Sequence, residues 1–467
     1  MTVNPALAER LDSMMHEAVR RYRLPGLAVV VNHAGHDRFA AGMGRRNATK
    51  ADGINADTLF GVASLSKLIT AIALLRLDAR DALSIDAPVA RYWPAFRLAS
   101  QVPMRLVHLL SHSAGLPGLP GRFHARNLAD ASDRSGGIAR QHRPGEAMGE
   151  ASSAGITTPA ELVELIQSLN VELLAPPGRL LNYSNEGFCL LGGVIEAVTG
   201  QSYADAIDAL VTIPLGLSRT TMGLRGLETL GNVATPLARD GERWRDLGFW
   251  DAPLFYPAGG AIASARDLVR LIRVLDDDDL LLAPDSRRRL MQWQMPIASR
   301  PGARSGYGLA LEHHRLGAND TLLWHSGQRA GISSFVGWLA RHRLAIAVLS
   351  NVADAPVASI GHDMIAQVLG RDDICWPPPG ATASALSGRS AQTARFTGRY
   401  QTAEGFDVGI SAGAGHLTLA TRGRTEPLLF ADADSGTVGG QTFRFLPDAN
   451  GHIRALALDL RILPRDA

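Results

Sequence analysis

Three consecutive prolines, Pro377–Pro379, stand inside a run of small residues from Asp372 to Ala394. Proline removes a backbone donor and fixes φ, so neither a helix interior nor a central strand continues through such a run. The stretch therefore reads as a linker, and it divides the 467-residue chain into a large part, 1–371, and a small part, 395–467.

The two parts carry different patterns. Beyond Arg395, Val408 and Ile410, Leu417 and Leu419, Phe443 and Phe445, and Leu456, Leu458 and Leu460 alternate with period two, and Asn450-Gly451 is a hairpin turn signal. That predicts a small antiparallel sandwich or barrel. In the larger part, Leu7, Leu11, Met14, Met15 and Val19 recur at near-helical spacing. "GLAVVVNHAG" with "DRFAAGMG", and "SFVGWLARHRLAIAVLSN", read as strand pairs, and "VASIGHDMIAQVLG" as a helix. Ser264 with Asp267 looks like a capping box, and Gly259-Gly260 like a tight turn before that helix. Strands at both ends with helices between them predict an α+β fold whose sheet is closed by the two ends of this part. The stretch Pro117–Thr158 has no periodicity and is expected to be a lid or pocket wall.

Composition excludes several functions. The net charge is +2 and the arginines are scattered, which gives nucleic-acid binding no support. The two cysteines, Cys189 and Cys375, make no disulfide framework and read as reduced thiols. No run approaches the ~18 apolar residues of a membrane span. The N-terminus lacks the cationic and apolar regions of a signal peptide, so a cytoplasmic location is the expectation.

Of 47 lysines and arginines only two are lysine, Lys50 and Lys67. Arginine stays charged under any protein condition, whereas a lysine can shift its pKa and take part in proton transfer. Lys67 stands three residues after Ser64, on the same face if the segment is helical. A hydroxyl beside a tunable amine is the pair that makes a nucleophile. Two further segments bear on it. "LNYSNEGF" offers Tyr183 and Asn185, and a lysine cation nearby should make the Tyr183 phenolate more accessible. "LWHSGQRAG" offers His325, Ser326 and Gly327 on a predicted strand, where a glycine lets a substrate backbone approach closely. His108 and His112 are spaced i, i+4 but lack a carboxylate at ligand spacing, so they read as structural and no metal or other cofactor is expected.

Together these segments resemble the serine β-lactamase/penicillin-binding-protein superfamily, in the branch that holds class C β-lactamases, D-aminopeptidases, esterases and transacylases. Ser64-x-x-Lys67, Tyr183-x-Asn185 and His325-Ser326-Gly327 match its three motifs in order. The resemblance implies an antiparallel sheet flanked by helices, with a helical subdomain, over residues 5–370. It implies that Ser64 attacks a carbonyl while Lys67 and Tyr183 handle its proton. The backbone N–H groups of Ser64 and Gln328 would form the oxyanion hole. Asn185, His325, Ser326 and Gly327 would bind the substrate. The third motif begins with His325 where the β-lactamases of this branch carry lysine, which points to the D-aminopeptidase or esterase type. The small C-terminal part resembles the lipocalin-like domains of some relatives.

The expected substrate is a small amide, ester, short peptide or acyl thioester. Acyl transfer to an amine or alcohol acceptor is the alternative, and an inactive binding protein a more distant one. The aromatic segment with Trp244, Phe249, Trp250, Phe255 and Tyr256 either lines the pocket, favouring a bulky acyl group, or packs on the surface. A homo-oligomer is left open.

Overall fold

The computed structural model describes residues 5–49, 53–98, 100–119, 156–276, 278, 281–299, 304–316, 319–371, 394–413, 416–421 and 424–466. The linker, Cys375, Lys50 and most of the expected lid (120–155) lie outside the described residues.

Eight strands form the main sheet, in the order His36–Gly44, Gly26–His33, Leu344–Ser350, Ile332–Leu339, Asp320–Arg329, Glu312–Leu316, Ser305–Tyr307, Met295–Pro296. Every neighbouring pair is antiparallel. As expected, the ends of the large part close the sheet: Leu27 stands opposite Ser350 and His33 opposite Leu344. The strand Gly26–His33 has two apolar faces because each meets its own core. Leu27, Val29 and Val31 pack with Leu11 and Met15 of the helix Pro5–Tyr22 and with Ile360 and Met364 of the helix Val357–Leu369. Ala28 and Val30 join the larger core, built on the helices Ser66–Asp78, Asn185–Thr199 and Ala265–Ile272. Alternation thus assigns each side chain to one layer.

Two local expectations change. Gly259 ends the short helix Tyr256–Gly259 and leads into a strand, Ala261–Ser264, so the helix at Ala265 follows a strand and not a turn. Ser264 does cap that helix, accepting from the Asp267 N–H at 3.1 Å. The Asp267 carboxylate does not return to Ser264; it accepts from the Arg219 N–H at 2.7 Å and the Thr220 hydroxyl at 2.9 Å.

The C-terminal strands fall into two antiparallel sheets. One runs from Gly398–Gln401 to Arg424–Pro427, the other from Leu429–Phe430 to Arg461–Pro464. The alternating Val408, Ile410, Leu417, Leu419, Phe443, Phe445 and Leu456 share one core with Phe396, Tyr400 and Phe430. The sheets meet at the single bridge Tyr400–Arg465 and close no barrel, so the lipocalin-like expectation is not met in that form. Leu460 leaves the alternation: it sits in the turn before Arg461 and packs instead with Leu181, Ile297 and Tyr307 of the large part.

That turn is bonded to the large part. The Tyr183 N–H donates to the Leu460 carbonyl at 2.7 Å, and the Ala298 N–H to the Asp459 carbonyl at 2.8 Å. The Ile462 N–H donates to Asn182 Oδ1 at 2.8 Å, while Asn182 Nδ2 donates to the Leu116 carbonyl at 2.7 Å. Among the described residues, no helix is long and apolar enough to cross a membrane.

Candidate active site

The strand Leu59–Gly61 ends at a sharp turn. Ala63 adopts φ of 46°, a left-handed conformation unusual for a residue with a side chain. Ser64 follows in the single-turn helix Ala63–Leu65, which runs into the helix Ser66–Asp78. Ser66 pins this corner: its hydroxyl donates to the Ala63 carbonyl at 2.7 Å and accepts from the Ala261 N–H at 2.9 Å.

Lys67 is fully buried. Its Nζ donates to Ser64 Oγ at 3.1 Å, Asn185 Oδ1 at 2.9 Å and the Ala258 carbonyl at 2.6 Å. It also stands 4.8 Å from the centroid of the Tyr183 ring. Three acceptors match the three protons of an ammonium group. Burial nevertheless pulls its pKa from the usual 10.5 down to about 7, with the Arg461 charge acting in the same direction. The free amine is therefore far more accessible at neutral pH than that of an exposed lysine.

Tyr183 corrects the sequence reading. Its hydroxyl hydrogen-bonds Ser64, but burial pushes its pKa well up from 10, so the phenolate becomes less accessible, not more. Desolvation of the ring outweighs the bond to Ser64 and the Arg461 charge. Asn185 opens the helix Asn185–Thr199, which Ser184 caps by accepting from the Gly187 N–H at 3.0 Å.

His325, Ser326 and Gly327 lie on the strand Asp320–Arg329, which packs against the Ser64 corner. His325 Nδ1 is 2.6 Å from the Ser326 carbonyl, which can only accept, so Nδ1 carries the proton. Nε2 then accepts from the Tyr307 hydroxyl at 3.0 Å. Burial lowers the His325 pKa to about 3, and the ring is neutral. Gly327 is required by space: a Cβ there would stand 2.3 Å from the Val62 carbonyl and 2.9 Å from the Ser64 nitrogen. The Gln328 side chain turns outward to Asp354.

The fold thus gathers Ser64, Lys67, Tyr183, Asn185, His325 and Gly327 from segments far apart in sequence. It also adds residues that sequence reasoning missed. His112 lies in a segment read as purely structural, yet its ring is 4.1 Å from Tyr183 and 4.9 Å from Tyr307, and its Nδ1 accepts from the Ser184 N–H at 3.1 Å. Tyr307 had no sequence signal, and the Ala258 carbonyl comes from the "PAGGAIASARD" segment, read only as a tight turn before a helix. The aromatic segment divides: Phe255 and Tyr256 are core, while Trp250 carries the Arg329 guanidinium 3.2 Å over its ring. Among the described residues, no three His, Cys, Asp or Glu side chains are placed to hold a metal ion.

The family profile described as Beta-lactamase matches residues 11–369. Over 222 residues the chain is 35% identical to Esterase EstB of Burkholderia gladioli; the match covers 45% of this chain and 50%, about half, of that protein's length. Among solved structures, the octameric penicillin-binding protein homologue from Pyrococcus abyssi matches with a TM-score of 0.68 at 22% identity, covering 98% of both chains. EstCE1, described as a hydrolase with promiscuous acyltransferase activity, matches with a TM-score of 0.60 at 22% identity, covering 77% of this chain and 98% of its own.

Proposed function

Because the chain belongs to the β-lactamase family of serine hydrolases, we propose that it cleaves an amide, peptide or ester carbonyl through an acyl-enzyme formed on Ser64. The observation that carries this reading is the Lys67 amine, dry, 3.1 Å from Ser64 Oγ, with a pKa of about 7. In its free form that amine accepts the Ser64 proton as Oγ attacks the carbonyl carbon. Tyr183 is too weak an acid to be the base; as a neutral phenol bonded to Ser64 it relays the proton to the leaving group. The N–H groups of Ser64 and Gln328 receive the oxyanion, each worth about 3 kcal/mol in such sites. Asn185, with Oδ1 engaged by Lys67, has its amide N–H left for the substrate, and Gly327, read in the sequence as room for a substrate, instead lets its strand pack directly on Val62 and Ser64. Neutral His325 orients Tyr307 and offers no charge to the substrate. Water then releases the acyl group by the reverse proton path.

The test is intact mass after exposure to a fluorophosphonate, on wild type and Ser64→Ala. One adduct in wild type and none in the variant supports the reading. An adduct that survives Ser64→Ala overturns it.

Acyl transfer is the second reading, and the description of EstCE1 favours it. It requires turnover to rise when an amine or alcohol acceptor is added at fixed substrate. The description of the Pyrococcus abyssi homologue as octameric supports self-association of this chain, which sedimentation velocity would measure.

A further inference from the structure

Lys67 cycles its proton and His325 is neutral, so neither offers a standing positive charge to a ligand. A third cation reaches this site from the far end of the chain. Arg461 follows Leu460, whose carbonyl holds the Tyr183 N–H, and precedes Ile462, whose N–H is held by Asn182. Both flanking backbone positions are therefore fixed against the segment that carries Tyr183. The Arg461 guanidinium lies 5.7 Å from the Tyr183 ring centroid and 4.8 Å from that of Phe406. Its charge is felt by Lys67, His112 and Tyr183 alike.

One edge of the guanidinium is occupied and the other is open. Nη1 pairs with the Glu404 carboxylate, and among the described residues Nε and Nη2 donate to no group. Burial, with repulsion from Glu186, pushes the Glu404 carboxyl up against the pull of Arg461. The side chain is 22% exposed, so a ligand can reach it. An anchored planar fork with free donors suits a carboxylate, which accepts two parallel N–H bonds.

We propose that Arg461 is a specificity-determining residue that binds a carboxylate carried by the leaving group of the substrate. The assignment to the leaving group rests on the proton path above: Tyr183 hands its proton to the departing atom, and Arg461 overlies the same ring. In acyl transfer the acceptor would occupy the same place, with its carboxylate on Arg461.

The test uses the full chain and two thioesters that differ at one group, hippuryl thioglycolate and hippuryl thioglycolamide. Binding of both to Ser64→Ala and to Ser64→Ala with Arg461→Gln is measured by calorimetry. A charge-assisted pair predicts that Ser64→Ala holds the carboxylate form about ten- to a hundredfold more tightly than the amide form. The added Arg461→Gln change removes that difference and leaves the amide form within about twofold. Equal binding of the two forms by Ser64→Ala overturns the proposal. So does a preference that survives Arg461→Gln, or an equal loss for both forms, which would make Arg461 a structural or electrostatic support. Fluorophosphonate labelling of Arg461→Gln in the Ser64 background reports separately on the nucleophile. If labelling fails in wild type while binding still discriminates, the Ser64 reading falls and the carboxylate site stands.

Discussion

Replacing Lys67 by methionine should abolish chemistry and remove a cost that wild type carries at neutral and acidic pH. The fall of the Lys67 pKa from 10.5 to about 7 measures what burial costs the charged form. At about 1.4 kcal/mol per pH unit, that is about 5 kcal/mol. Below pH ~7 lysine is charged in both the folded and the unfolded chain, so the folded state carries the whole cost. Between ~7 and ~10.5 the unfolded chain binds the extra proton, so wild-type stability rises with pH and the cost fades. Methionine fills similar volume without charge. It leaves Asn185 Oδ1 and the Ala258 carbonyl without their donor, at about 1–3 kcal/mol for each buried group. The expected balance near pH 6 runs from a loss of about 1 to a gain of about 3 kcal/mol, and it moves toward wild type by about 4 kcal/mol as the pH is raised to about 10. Denaturant midpoints of both proteins across this range measure it, and the difference cancels the titrations that do not feel the Lys67 charge. Activity should fall at least about 100-fold, the loss of a positioned base. A stability difference that ignores pH would refute the assignment of Lys67 as a desolvated amine.

Two further outcomes follow from the same geometry. The rate of fluorophosphonate labelling should climb with pH through about 7 as Lys67 loses its proton, dropping roughly tenfold for each unit below; a flat profile from pH 5 to 9 would exclude Lys67 as the base. Gly327→Ala places a methyl 2.3 Å from the Val62 carbonyl and 2.9 Å from the Ser64 nitrogen, both backbone. Labelling should slow about 100-fold, the loss of one oxyanion donor, with far-UV circular dichroism unchanged; labelling at the wild-type rate would contradict the packing of that strand on Ser64.

What the sequence made legible was local pattern and chemical type. Short apolar runs beside turn signals located the strands Gly26–His33 and Ile332–Leu339, and the scarcity of lysine singled out Lys67. What it hid was environment. The effect of Lys67 on Tyr183 was read with the wrong sign because a neighbouring charge is visible in sequence and desolvation is not. His112 was dismissed on ligand spacing, although its partners Tyr183 and Tyr307 lie far away along the chain. Leu460 fitted the alternation of its strand, and only the tertiary contact with Leu181 and Tyr307 took it out of the C-terminal core.

The bond between Asn182 and Ile462 spans 280 positions of sequence. During synthesis, the segment carrying Tyr183 must wait for that much more chain before its final support arrives. The sheet pairing of Gly26–His33 with Leu344–Ser350 is equally long-range, but all of its strands are synthesised before Ile462. The main sheet can therefore close before Tyr183 is braced. A chain interrupted between Leu369 and Leu460 would carry every strand of the main sheet but lack the bonds that hold Asn182 and Tyr183, so premature termination there would leave the centre unfinished even where it spares the sheet.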